Sequence, residues 1–193
     1  MVAACLVATT SLVAAATVER EGVRFDDSIR VSGSTLVLNG IGVRAAAWFK
    51  GYVAGLYLPQ KSADSEAIYA MPGVKRIGVR MLIDVGPDLL ARTFGDGIRK
   101  NYKGEALEPL QSRMEAFDAQ VRGIPGGVKK GQEIDLDFHP ASGTRVLVAG
   151  KPIGEPIAGE DFYVALLKMF IGERAIDKGL RASLLGQSGG TPP

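Results

Sequence analysis

Residues 75–85 alternate Ile77, Val79, Met81 and Ile83 against Arg76, Gly78, Arg80 and Leu82, the two-residue period of a strand. The same period over 23–25, 29–31 and 35–38, with Ser32-Gly33-Ser34 as a turn, predicts hairpin strands. Residues 41–58 form one long apolar segment stopped by Pro59. Its alternation is clearest over Tyr52, Ala54, Leu56 and Leu58, which predicts a central strand in its second half. Residues 132–138 and 144–149 read as a further hairpin closed across 140–143.

Elsewhere the spacing lengthens to that of a helix. Residues 62–70 open on Ser and Asp in capping positions and end before Pro72-Gly73. Pro87 stands where a first helical residue is favoured, and Leu89, Leu90, Thr93, Phe94, Gly97 and Ile98 follow at helical spacing. A second long helix is predicted over 107–121, with Leu110, Met114, Phe117 and Val121 on one face. Residues 159–171 carry a stripe of Phe162, Ala165, Leu166, Met169 and Phe170, and a short helix over 177–185 closes the domain. Residues 123–131 read as loop and 187–193 as a disordered tail. Strands first, helices in the middle, then a hairpin and more helices predict an α+β domain, an antiparallel sheet covered on one face by helices.

With 193 residues, 46% hydrophobic and 23% charged, the chain suffices for one core and one domain over 17–186. Its net charge of +2 is spread among interleaved acids and bases, which argues against nucleic acid as a partner. Residues 1–16 carry no charge and are too short to span a bilayer. They fit a secretory signal ending in Ala14-Ala15-Ala16, although the usual basic start is missing. The expectation is a periplasmic protein with no membrane span once the leader is removed; a buried N-terminal helix is the alternative. Cys5, the only cysteine, lies in this leader, so the processed chain has no disulfide. Val2-Ala3-Ala4-Cys5 resembles a lipoprotein box with too short an apolar stretch before it.

Most catalytic chemistries find no footing. His139 is the sole histidine and reads as a solvated hairpin residue. No phosphate loop, nucleophile elbow or dinucleotide fingerprint occurs, and no cofactor or metal is expected. Asp135 and Asp137 alternate on one strand and read as its wet face. The exceptional segment is 39–58, where Arg44, Tyr52 and Tyr57 interrupt an apolar run. An arginine there needs an anion or carbonyl partner, because an unpaired buried guanidinium is costly. Three readings are open: a structural ion pair, a side chain reaching water, or a ligand carboxylate or phenolate held by Arg44 and the Tyr52 hydroxyl.

The pattern Gly40-Ile41-Gly42-Val43-Arg44, followed by Phe49-Lys50-Gly51-Tyr52-Val53-Ala54-Gly55-Leu56-Tyr57-Leu58, resembles the chalcone isomerase-like family. So do 162–172, which end in Ile171-Gly172, and Lys129-Lys130-Gly131 before a strand. The resemblance implies an open-faced β-sandwich, with a large antiparallel sheet, a helical layer and a ligand cleft between them. Arg44 matches the family's arginine. Tyr52 stands at the position of the catalytic threonine, as in the fatty-acid-binding branch, where an arginine and a tyrosine hold a carboxylate. Leu89 replaces the catalytic tyrosine and Asp96 the asparagine, while Met169 and Phe170 replace a polar and a sulfur-bearing pocket residue. The implied function is non-catalytic binding of a fatty acid or similar apolar carboxylate, the head on Arg44 and Tyr52 and the tail against Phe94, Met169 and Phe170. The alternatives are an intramolecular lyase of chalcone isomerase type using Arg44 and Tyr52, and a structural or partner-binding envelope protein with a vestigial cleft. In one straight strand Arg44 and Tyr52 would lie about 26 Å apart, so a shared ligand requires a bend, bulge or reversal near Ala45-Ala46-Ala47.

Overall fold

Both hydrophobic periods become the elements they predict in a computed structural model that describes residues 16–46 and 49–187. Residues 1–15, which hold Cys5 and all but the last residue of the expected signal, and residues 188–193 lie outside the described residues. Gln187, expected to begin the disordered tail, instead donates to the Ala182 carbonyl at 2.9 Å and the Ala63 carbonyl at 2.8 Å. Nine strands are described: β1 (Thr17–Arg20), β2 (Val23–Asp26), β3 (Ser28–Val31), β4 (Ser34–Ala46), β5 (Phe49–Leu58), β6 (Lys75–Met81), β7 (Glu133–His139), β8 (Gly143–Val148) and β9 (Lys151–Ile157). The helices are α1 (Ser65–Ala70), α2 (Pro87–Asn101), α3 (Gln111–Arg122), α4 (Glu160–Ile171) and α5 (Lys178–Leu184). Strands β3 to β9 form a curled antiparallel sheet in chain order, and β1 pairs only with β2.

The 41–58 segment is two strands rather than one. β4 runs to Ala46 and β5 returns along it from Phe49, so Val43 pairs with Val53 and Arg44 with Tyr52. No Gly, Pro, Asn or Asp marks that reversal, and both strands are apolar because both lie in the middle of the sheet. Gly150-Lys151-Pro152 reads as a turn in the sequence, but β9 already starts at Lys151; as an edge strand it tolerates the missing N–H groups of Pro152 and Pro156. β6 stops at Met81, after which Asp84 accepts from the Lys130 N–H at 2.8 Å and Val85 bridges to Val128. Residues 104–110 form two short 3-10 turns, so α3 starts at Gln111 rather than 107.

One face of the sheet carries the main core. Leu56, Ile77, Val79, Ile134, Leu136 and Phe138 pack there against α2, α3 and α4. α4 is buried almost all round, wider than the stripe its sequence suggested, because α2, α5 and the sheet enclose it. α5 lies on β4 where Gly40 and Gly42 leave room. A Cβ at Gly40 would fall 2.1 Å from the Ser183 carbonyl, and one at Gly42 would fall 2.7 Å from Ser183 Cβ.

The opposite face corrects one expectation. Asp135 and Asp137 do not form a wet face: Asp135 is 3% exposed, held by Arg76 at 3.1 Å and Arg80 at 3.0 Å. Arg76 also grips Asp137 through two hydrogen bonds. The β1–β2 hairpin shields this region, its Phe25 ring filling the space a Cβ at Gly55 would take and lying under the Arg80 guanidinium.

Candidate functional site

The reversal after β4 makes Arg44 and Tyr52 cross-strand partners, and Tyr52 pairs in turn with Met81 on β6. Directly opposite residues on one sheet face lie about 4.5–5.5 Å apart at Cβ, so the separation required of a straight strand disappears. Both side chains border a cavity of about 280 Å³ between the helical face of the sheet and helices α2 and α4. The sheet supplies Val79, Met81 and Ile134; α2 supplies Leu89, Leu90, Thr93 and Phe94; α4 supplies Met169 and Phe170. The five residues singled out in the sequence, Arg44, Tyr52, Phe94, Met169 and Phe170, thus surround one space. Leu89 also borders it and is 54% exposed.

Polar groups around this space are few. The Thr93 hydroxyl donates to the Leu89 carbonyl at 2.7 Å, an internal helix bond that leaves the wall largely apolar. Arg44 Nη1 donates to the Ala45 carbonyl at 2.6 Å and to Asp177 Oδ2 at 3.3 Å. The Tyr52 hydroxyl is sealed from solvent and has no hydrogen-bond partner among the described residues. Burial pushes its ionisation above the ordinary tyrosine range; Arg44 opposes the shift and Asp177 adds to it. It therefore stays a neutral hydroxyl near pH 7, able to donate but not to act as a phenolate base.

Asp177 is the residue sequence reading missed at this site. It was read only as the start of the last helix, and it does cap α5 by accepting from the Leu180 N–H at 2.9 Å. Its second oxygen meets Arg44, so the structural ion pair and the position beside the cavity are both realised by one arginine. The available signal was the demand of a half-buried arginine for an anion, but no local pattern names a partner 133 residues away. Asp96 lies outside the cavity, 70% exposed and paired with Arg99.

A larger groove of about 470 Å³ runs between α2 and α3. Arg99, Glu115 and Asp118 border it, and none of the five residues does. Among the described residues no helix is long and apolar enough to cross a membrane.

A family model described as chalcone isomerase-like matches residues 16–186. The chain is also similar in structure to a fatty-acid binding protein of Arabidopsis thaliana, seen in a crystal structure, at 18% identity and a TM-score of 0.64. That likeness covers 88% of this chain and 96% of the plant protein, and at this identity it shows a common fold. No curated protein sequence matches the chain.

Proposed function

Because the chain belongs to the chalcone isomerase-like family, and shares its fold with a fatty-acid binding protein, we propose that it binds a fatty acid or similar apolar carboxylate without converting it. The observation that carries this reading is the buried Tyr52 hydroxyl, without a hydrogen-bond partner among the described residues, beside Arg44 at the edge of an otherwise greasy cavity. An unsatisfied buried hydroxyl costs about 1–3 kcal/mol, which an acceptor oxygen from a ligand would relieve. Arg44 supplies charge-assisted donors to the same head group, and Phe94, Met169 and Phe170 receive the chain.

The same inventory speaks against isomerase chemistry. Proton transfer and enolate stabilisation need polar groups that act in the transition state. The resemblance sets Leu89 where the catalytic tyrosine would stand, Asp96 lies outside the cavity, and burial keeps Tyr52 a neutral hydroxyl. The uncharged leader supports export to the periplasm as the setting for this binding.

Displacement of a fluorescent fatty-acid analogue by palmitic acid tests the reading. Saturable binding is expected, weakened in Arg44→Ala by more than about 1.5 kcal/mol, the low end for losing a hydrogen bond to a charged group. Absence of binding, or saturable acceleration of chalcone cyclisation abolished by Arg44→Ala, would overturn it.

A further inference from the structure

Arg44 reaches the cavity already half engaged. One nitrogen is shared between the Ala45 carbonyl and Asp177; its other N–H groups have no partner among the described residues. Asp177 is itself fixed, because its second oxygen caps α5 and α5 is seated on Gly40 and Gly42 of the strand that carries Arg44. The two side chains are only 28% and 19% exposed, so solvent screens their charges less than at an open surface. Together they are neutral. A ligand carboxylate between Arg44 and Tyr52 would therefore face a fixed negative charge beside the positive one. A hydroxyl or amide head would find the same donors without that repulsion.

We propose that Asp177 sets the head-group selectivity of the cavity: it is a resident carboxylate that offsets Arg44 and holds down affinity for ionised acids relative to neutral heads on the same chain. This rests on reading the cavity as a lipid site, and it makes that site one of moderate, exchangeable binding. Removing the charge while keeping the shape should convert it into an acid-selective site.

Asp177→Asn does this, since an asparagine oxygen accepts from the Leu180 N–H and caps a helix as well as aspartate. Asp177→Ser, also a good cap, is the second variant. Palmitic acid and hexadecanol are titrated against the fluorescent analogue at constant ionic strength, with far-UV circular dichroism to confirm folding. In both variants the preference for acid over alcohol should rise about tenfold, equivalent to 1.4 kcal/mol, through tighter acid binding with the alcohol unchanged. A folded variant that binds both lipids with the wild-type preference overturns the role of Asp177 and leaves the lipid site standing. Failure of both lipids to bind the wild type and the variants overturns the lipid site and this proposal together.

Discussion

At the scale of single residues, the Tyr52 hydroxyl separates stability from binding. It is buried without a partner among the described residues, so the folded state bears its desolvation with no compensating bond. Tyr52→Phe should raise unfolding stability in the absence of ligand by about 1 kcal/mol, measured by urea denaturation, while weakening palmitic acid binding. Loss of stability would mean that the hydroxyl serves the fold instead. Arg44 and Tyr52 were legible in the sequence because polar side chains interrupt an apolar run there. Asp177 was not, because a helix-capping aspartate looks the same whether or not its second oxygen is used. Asp135 and Asp137 were misread for a related reason: alternation tells which face a residue occupies, not what covers that face.

Among the elements, helices were read more accurately than strands. α2 and α4 followed from apolar spacing and Pro87, whereas the β4–β5 reversal lacked turn residues and the start of β9 read as a turn. The approach of α2 to α4 was not legible, since it depends on Gly97, where an added Cβ would lie 2.5 Å from Met169 Cγ. Met169 is flexible and borders the cavity, so the free space beside it is the cavity itself. Gly97→Ala should gain helix propensity of up to about 1 kcal/mol, offset by the displaced methionine. Its clearer effect is a smaller cavity: long-chain acids should bind more weakly while short ones change little, as a chain-length series would read.

Over the whole molecule, the sheet and its helical cover are pinned by Lys75 at the start of β6, whose side chain is 1% exposed. Its ammonium lies 3.3 Å from Glu160 of α4 and 5.0 Å from the centre of the Phe138 ring. Burial pushes its pKa down, and Glu160 opposes the shift. A base held below its unfolded pKa binds fewer protons when folded, so stability rises with pH between the folded value and the unfolded one near 10.4. Lys75→Met keeps the apolar stem and frees Glu160, half exposed, to water. That variant should be at least as stable as wild type at pH 7 and should lack the rise above neutrality, as denaturation midpoints against pH would show. Fold class, the family's α+β arrangement and the helical side of the sheet were legible from periodicity and motif. The packing of charged groups into the interior was not, because partner choice is set by contacts distant in sequence.

The β4–β5 hairpin also imposes an order of events on the chain as it folds. Arg44 and Tyr52 are close in sequence and meet by local strand pairing, an event on the order of microseconds in isolated hairpins. Asp177 and the α4 residues belong to the far end of the chain and arrive only after long-range contacts close. Arg44 can therefore be positioned by its strand before Asp177 is in place. Until then the basic end of the hairpin is open to any anion in its surroundings, and seating of α5 on Gly40 and Gly42 marks its closure.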